Sequence, residues 1–264
     1  MPVRCERPKL SDLGLTTKDS SVFYCAEWTT WPWLHYVFVS YRILIALYML
    51  GIWSVVVAID TRRVGGQVFI YLTILEMTVC VIYLLVAGFI AWLDGIILRT
   101  RNSEVMGIRH KIHWFLFNIT VNMNLIVTII YWSVLYQPTP DFLFFYDFNL
   151  HATPAMISTL DLFLTAIPVR LLHFVYPMGF GIAYVLMTVI FWAAGGRTAY
   201  GPIYSIIDYD NNPGLAVGVI FGTLALGIFL QGVIWCLYKL RVWVGVKCRG
   251  GVDTDELNII EAVL

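Results

Sequence analysis

The stretch Gln67-Val-Phe-Ile-Tyr-Leu-Thr-Ile-Leu-Glu-Met-Thr-Val-Cys-Val-Ile-Tyr-Leu-Leu-Val-Ala-Gly-Phe-Ile-Ala-Trp-Leu93 decides the fold. It is apolar almost throughout. At about 1.5 Å rise per residue it is long enough to cross about 30 Å of hydrocarbon as a helix. Five further runs have the same character, at about 35–59, 112–136, 149–169, 174–195 and 214–240. Lipid offers no hydrogen bonds to a backbone, and the runs are too long and too uniformly apolar for barrel strands, so each is predicted to be helical. The expected fold is therefore all-α, a polytopic bundle of six transmembrane helices in a lipid bilayer.

Composition agrees. The chain is 59% hydrophobic and 13% charged, against roughly 45–50% apolar and 25% charged in soluble domains. Mean hydropathy is +0.78. The ten Trp suit the level of lipid headgroups. A formal net charge of zero gives no reason to expect nucleic acid. The six spans use up most of the 264 residues and leave no space for a soluble catalytic domain.

Lys and Arg set the expected threading. Arg4, Arg7, Lys9 and Lys18 precede the first span, and Arg99, Arg101, Arg109 and Lys111 lie between the second and third. Arg170 sits in the short link Ile167-Pro-Val-Arg-Leu171, which predicts an antiparallel hairpin of spans four and five. Lys239, Arg241, Lys247 and Arg249 follow the last span, whereas the other side has only Arg62, Arg63 and Arg197. Both termini are thus expected in the cytosol. Residues 1–34 form an N-terminal segment closed by an interfacial cluster of Trp28, Trp31 and Trp33, with no cleaved signal. Residues 35–240 form the membrane domain, and 241–264 an acidic cytosolic tail.

Side chains that resist lipid are the candidate functional residues, because a charge at mid-membrane costs at least about 2.5 kcal/mol. Thr73 falls about 9 Å below the outer end of span two and His151 about 3 Å below that of span four, which allows them one leaflet. A hydroxyl beside an imidazole is a usable nucleophile and base. The bland alternatives are a Thr bonded back to its own helix and a His capping a helix end. Glu76, three residues after Thr73, shares its face. It could orient the imidazole, or it could clasp Asn118 or Asn122 of span three. Arg42 and Asp161 both fall toward the inner half, where an ion pair between them is the expected arrangement. A charged pocket for a lipid headgroup or carboxylate competes with that.

His35, His110, His113 and His173 lie at span ends and are expected at the interface. No metal or cofactor motif is present. Cys80 and Cys236 are expected to be packing residues, and Cys248, beside Lys247 and Arg249, is either palmitoylated or a free thiol. Gly218 and Gly222 on span six suit close helix packing, within one chain or in a homo-oligomer. Loops 137–148 and 196–213 are rich in Phe and Tyr, so they could contact a membrane-protein partner or dip among headgroups.

Asp161-Leu-Phe-Leu-Thr-Ala-Ile-Pro-Val-Arg-Leu-Leu-His-Phe-Val-Tyr-Pro177 resembles the rolling stone family of multipass membrane proteins. So do Val189-Ile-Phe-Trp-Ala-Ala-Gly-Gly196, Tyr200-Gly-Pro-Ile-Tyr204 and Ile207-Asp-Tyr209. That resemblance implies a plasma-membrane protein with a role in cell–cell, notably myoblast, fusion. The family is in turn similar to the androgen-induced membrane hydrolases, which cleave fatty-acid esters with an intramembrane Thr and His. Tyr71-Leu-Thr-Ile-Leu-Glu76 resembles their Thr segment with Glu in place of Asp. Asn149-Leu-His-Ala-Thr153 resembles their His segment, with Asp161 ten positions after His151 and the segment's first His missing. This second resemblance implies hydrolysis of a lipid ester by Thr73 and His151, tuned by Glu76. A non-enzymatic scaffold or adhesion factor is the alternative. A small-molecule or lipid transporter comes third, weakened by the lack of inverted repeats.

Overall fold

The computed structural model describes residues 8–28, 32–98, 106–138, 140–198 and 201–248. Most of the described residues are helical, and no strand occurs among them. The helices are α1 (Pro32–Val64), α2 (Leu72–Trp92), α3 (Ile108–Ile130), α4 (Asp141–His151), α5 (Thr153–Leu164), α6 (Val175–Ala193) and α7 (Pro213–Cys248). Five helical segments, those built on α1, α2, α3, α6 and α7, are long and apolar enough to cross a membrane. Large apolar side chains cover the outside of the bundle: Phe221 is 68% exposed, Ile190 67% and Leu44 66%. Such a surface is a liability in water and is at home in lipid.

Span four departs from expectation, because it is two helices and not one. α4 is 11 residues and α5 is 12, broken at Ala152 with φ −113° and ψ −44°. The break is caused by Pro154, which has no N–H to give to residue 150 and whose ring clashes with that carbonyl. α3 satisfies the disturbed backbone. Thr128 Oγ1 donates to the His151 carbonyl, and Asn124 Nδ2 donates to the Pro154 carbonyl at 3.0 Å. α4 also takes in most of what was expected to be the loop 137–148.

The outer helices overshoot their expected ends. α1 has 33 residues and α7 has 36, about 50 Å each and well beyond the hydrocarbon. α7 continues through Cys248, so the expected boundary at 240 falls inside a helix. The side chain of Cys248, and Cys5, Trp31 and the acidic tail from 249 onward, lie outside the described residues. Cys80 is buried as expected, but Cys236 is exposed on the lipid side.

Glu27, before α1, and Arg241, near the end of α7, meet at one end of the bundle, where Arg241 Nε lies 3.5 Å from Glu27 Oε2. Residues 8–28 fold over that end. Arg170 donates to the carbonyls of Gly14 and Thr16 at 2.6 and 2.8 Å, and Tyr176 Oη donates to Leu13 at 2.5 Å. Glu27 N donates to the Leu164 carbonyl at 3.0 Å, and Trp28 Nε1 to that of Phe163 at 2.7 Å. Phe23, fully buried, inserts between His110 and Trp114 with ring centroids 5.3 and 5.7 Å away. This cover explains the fate of His35, His110, His113 and His173. They were expected at an interface, and all four are buried inside the protein.

α3 is the central helix and packs on α2, α5, α6 and α7. Its approach to α7 is tight at Gly227, where a Cβ would lie 2.3 Å from Met178 Cε of α6 and 3.1 Å from Ile126 Cδ1, the movable ends of two side chains. Asn122 Nδ2 uses that proximity to donate to the Gly227 carbonyl at 3.0 Å and to Gln231 at 3.2 Å.

Candidate active site

At the end of the bundle opposite the N-terminal cover, the helices diverge around a cavity of about 610 Å³. Its walls are mostly apolar, including Met123, Ile126 and Val127 from α3, Met178 from α6 and Leu224 from α7. Thr73 and His151 both line it. Thr73 is the second residue of α2, so its hydroxyl stands in the positive field at a helix N-terminus, beside amides that have no partner within the helix. His151 ends α4 at the proline break and is held there by its own backbone, through the Thr128 bond. Its ring is 8% exposed overall and stacks face to face on Tyr131, with centroids 3.4 Å apart. Tyr131 opens a wide π turn, Tyr131–Leu135, at the end of α3, a local distortion found frequently at functional sites.

Thr73 and His151 face a common space, but no hydrogen bond joins them among the described residues. Tyr204 stands beside Thr73 and receives the Leu72 N–H at 2.9 Å. Burial raises the Tyr204 hydroxyl above its ordinary pKa, so it stays a neutral donor. Tyr184, also on the wall, donates to the Ile70 carbonyl at 3.2 Å. The segment carrying Tyr204 is strapped down along its length. Tyr209 Oη pairs with Thr188 at 2.9 Å, Asp210 accepts from Trp192 Nε1 at 2.8 Å and Arg197 at 2.5 Å, and Gln67 Nε2 donates to the Arg197 carbonyl at 3.1 Å. Asp60 and Arg63 edge the cavity, with Tyr146 Oη donating to Asp60 at 2.8 Å. Arg63 is more than half exposed, so this rim meets solvent.

Tyr131, Tyr184 and Tyr204 escaped the reading of the sequence as site residues. The aromatic cluster in 196–213 was a usable signal, but it pointed to outside partners, whereas Tyr204 turns inward.

Glu76 does not meet its expected roles. It is 1% exposed, both carboxylate oxygens are buried without a hydrogen-bond partner, and it is bonded neither to His151 nor to Asn118 or Asn122. Asn118 donates to the Trp114 carbonyl at 2.7 Å and lies 3.3 Å from His173 Nδ1. Arg42 and Asp161 stand together, with Nη1 to Oδ2 at 3.0 Å and both side chains wholly buried. Tyr83 donates to the same Asp161 oxygen. That oxygen is engaged within the protein, which removes the pair from use as an open headgroup pocket. No group of His, Cys, Asp and Glu that could hold a metal occurs among the described residues.

The rolling stone family model, described as "Protein rolling stone", matches residues 7–247. Protein rolling stone of Drosophila melanogaster is 26% identical to this chain over 243 residues, covering 88% of the chain and 87% of that relative. No solved structure matches. With the match extending through every described helix, the chain belongs to the rolling stone family of integral membrane proteins.

Proposed function

We propose that this protein hydrolyses lipid esters within the bilayer, with Thr73 as nucleophile and His151 as base. The observation that carries the reading is that these two residues, distant in sequence, line one apolar cavity of about 610 Å³. A cavity with such walls suits an acyl chain. The space between Thr73 and His151 is where a scissile ester would sit.

In the acylation step His151 takes the Thr73 proton as Oγ attacks the ester carbonyl carbon. The C–O bond to the alcohol then breaks, and His151 returns the proton to the departing oxygen. Water, deprotonated in turn by His151, cleaves the acyl-threonine and restores the hydroxyl. The position of Thr73 in the first turn of α2 favours negative charge developing there. Tyr204 is available beside Thr73 as a neutral donor to the same charge. Glu76 has no part in holding the imidazole.

The threading expected from Lys and Arg turns the cavity rim to the outer face, and the plasma membrane is the location that fits the family resemblance. A role in cell–cell fusion would then consist of changing lipid composition where membranes meet. A fluorophosphonate probe tests the chemistry: the wild type should label, and Thr73→Ala and His151→Ala should each abolish labelling at unchanged expression. Full labelling of both variants would end the hydrolase reading, and loss of fusion without loss of labelling in a loop variant would favour a scaffold.

A further inference from the structure

A column of buried polar groups runs from the cavity to the opposite end of the bundle, and the ester chemistry uses none of it. It starts one turn below Thr73, at Glu76. Glu76, Cys80 and Tyr83 follow at helical spacing down one face of α2. Cys80 is within electrostatic reach of both Glu76 and Asp161, and Asn124 Nδ2 lies 3.6 Å from its sulfur. Tyr83 donates to Asp161, and its ring stacks on His113 with centroids 5.4 Å apart. One turn along α3 from His113 comes His110, whose Nε2 is 3.1 Å from Asp94 Oδ2. Asp94 ends the column at Arg109, bound at 2.6 and 2.8 Å, whose side chain is 36% exposed and so meets water.

The column is rich in buried polar atoms that no protein group satisfies. Both oxygens of Glu76, Oδ1 of Asp161, both nitrogens of His113 and Oδ1 of Asn124 are buried and unpartnered, as are Nε and Nη2 of Arg42. One such atom costs about 1–3 kcal/mol. Eight such atoms lie along this column, and water bridging them would satisfy them. Acidic and imidazole side chains joined in that way inside a membrane are the usual composition of a proton relay.

We propose that Glu76, Asp161, Tyr83, His113 and Asp94, with bridging water, form a proton path between the cavity at Thr73 and the water at Arg109. Each transfer makes one O–H or N–H bond as it breaks another, and every group returns to its starting state after a proton has passed. Arg42 and Asp161 neutralise each other, so their pair sets no net charge against the traffic. The inference is independent of the ester chemistry, since flux is measured without any substrate.

The test is purified full-length protein in phospholipid vesicles loaded with a pH-sensitive dye, with the membrane potential clamped by valinomycin and potassium. After an external pH jump the wild type should equilibrate about tenfold faster than protein-free vesicles. Glu76→Gln should fall to the protein-free rate, because the amide cannot carry the proton onward; it disrupts no bond, as the carboxylate has none. Glu76→Asp should keep most of the flux, and His113→Phe, which retains a ring stacked on Tyr83 and in contact with Phe23, should lose it. A wild type no faster than empty vesicles overturns the path, as does Glu76→Gln conducting like the wild type. Reduced flux in both Glu76→Gln and Glu76→Asp also counts against it, since it points to packing rather than to proton transfer.

Discussion

Arg42 of α1 and Asp161 of α5 meet at 3.0 Å with both side chains wholly inside the protein. The pair ties the first helix to the second half of the broken crossing, and Tyr83 of α2 joins it. Removing one partner of such a pair leaves a lone buried charge, at about 3–5 kcal/mol. Arg42→Leu or Asp161→Leu alone is therefore expected to lower the melting temperature in detergent markedly, while the double Leu variant recovers most of the loss. Additive losses in the double variant would show that the two charges are stabilised separately.

Gly227 of α7 faces Ile126 of α3 and Met178 of α6. Gly227→Ala is expected to destabilise by about 1 kcal/mol, as the ends of Met178 and Ile126 shift to admit the methyl. Gly218→Ala is the matched control, since a Cβ there meets nothing within 4 Å, and it should leave the melting temperature within error. Equal effects of the two would contradict the helix packing described above.

The crossings were legible in the sequence because lipid imposes so few solutions: long apolar runs, Trp at their ends and basic residues gathered on alternate links. Pro154 signalled trouble in span four, but a proline alone does not distinguish a kink from a full break. The break depends on Thr128 and Asn124 of α3 being in reach of the freed carbonyls. The burial of His35, His110, His113 and His173 was illegible for a different reason. It depends on residues 8–28 folding back over the bundle, and a polar segment without periodicity gives no sign of where it will lie. The Lys and Arg asymmetry together with the span limits allowed Thr73 and His151 one leaflet, and both line one cavity. Of the tyrosines that complete the cavity, Tyr204 comes from a connecting segment and Tyr131 from a π turn, which no helical pattern announces, while Tyr184 lies on α6.

The cavity itself offers a test that leaves Thr73 and His151 in place. Leu224→Trp should fill the wall contributed by α7 and lower turnover of a long-chain ester by at least about tenfold, equivalent to ~1.4 kcal/mol. A short-chain ester should be affected less. Equal losses on both substrates would mean that the space does not house the acyl chain.

Asp208 shapes a local turn in the segment that carries Tyr204, accepting from Asp210 N, Asn211 N and Asn211 Nδ2. Its carboxyl is held below the ordinary carboxylate range by the Asn211 side chain first, with backbone N–H groups of Asn211 and Asp210 adding to the effect. A depressed folded value means the stabilisation is complete above the ordinary carboxylate pKa and disappears as pH falls through the lower, folded value. Hydrogen exchange of residues 203–211 should accordingly stay slow down to acidic pH in the wild type and be fast throughout in Asp208→Ala. Identical exchange in the two proteins would show that Asp208 does not order the segment.

The most direct measurement is peptide mapping by mass spectrometry of the protein after reaction with a lipid-like fluorophosphonate. The account predicts one phosphonyl adduct, on the Thr73 hydroxyl, absent when His151 is replaced by Ala. An adduct on any other side chain, or one on Thr73 that persists without His151, would contradict it.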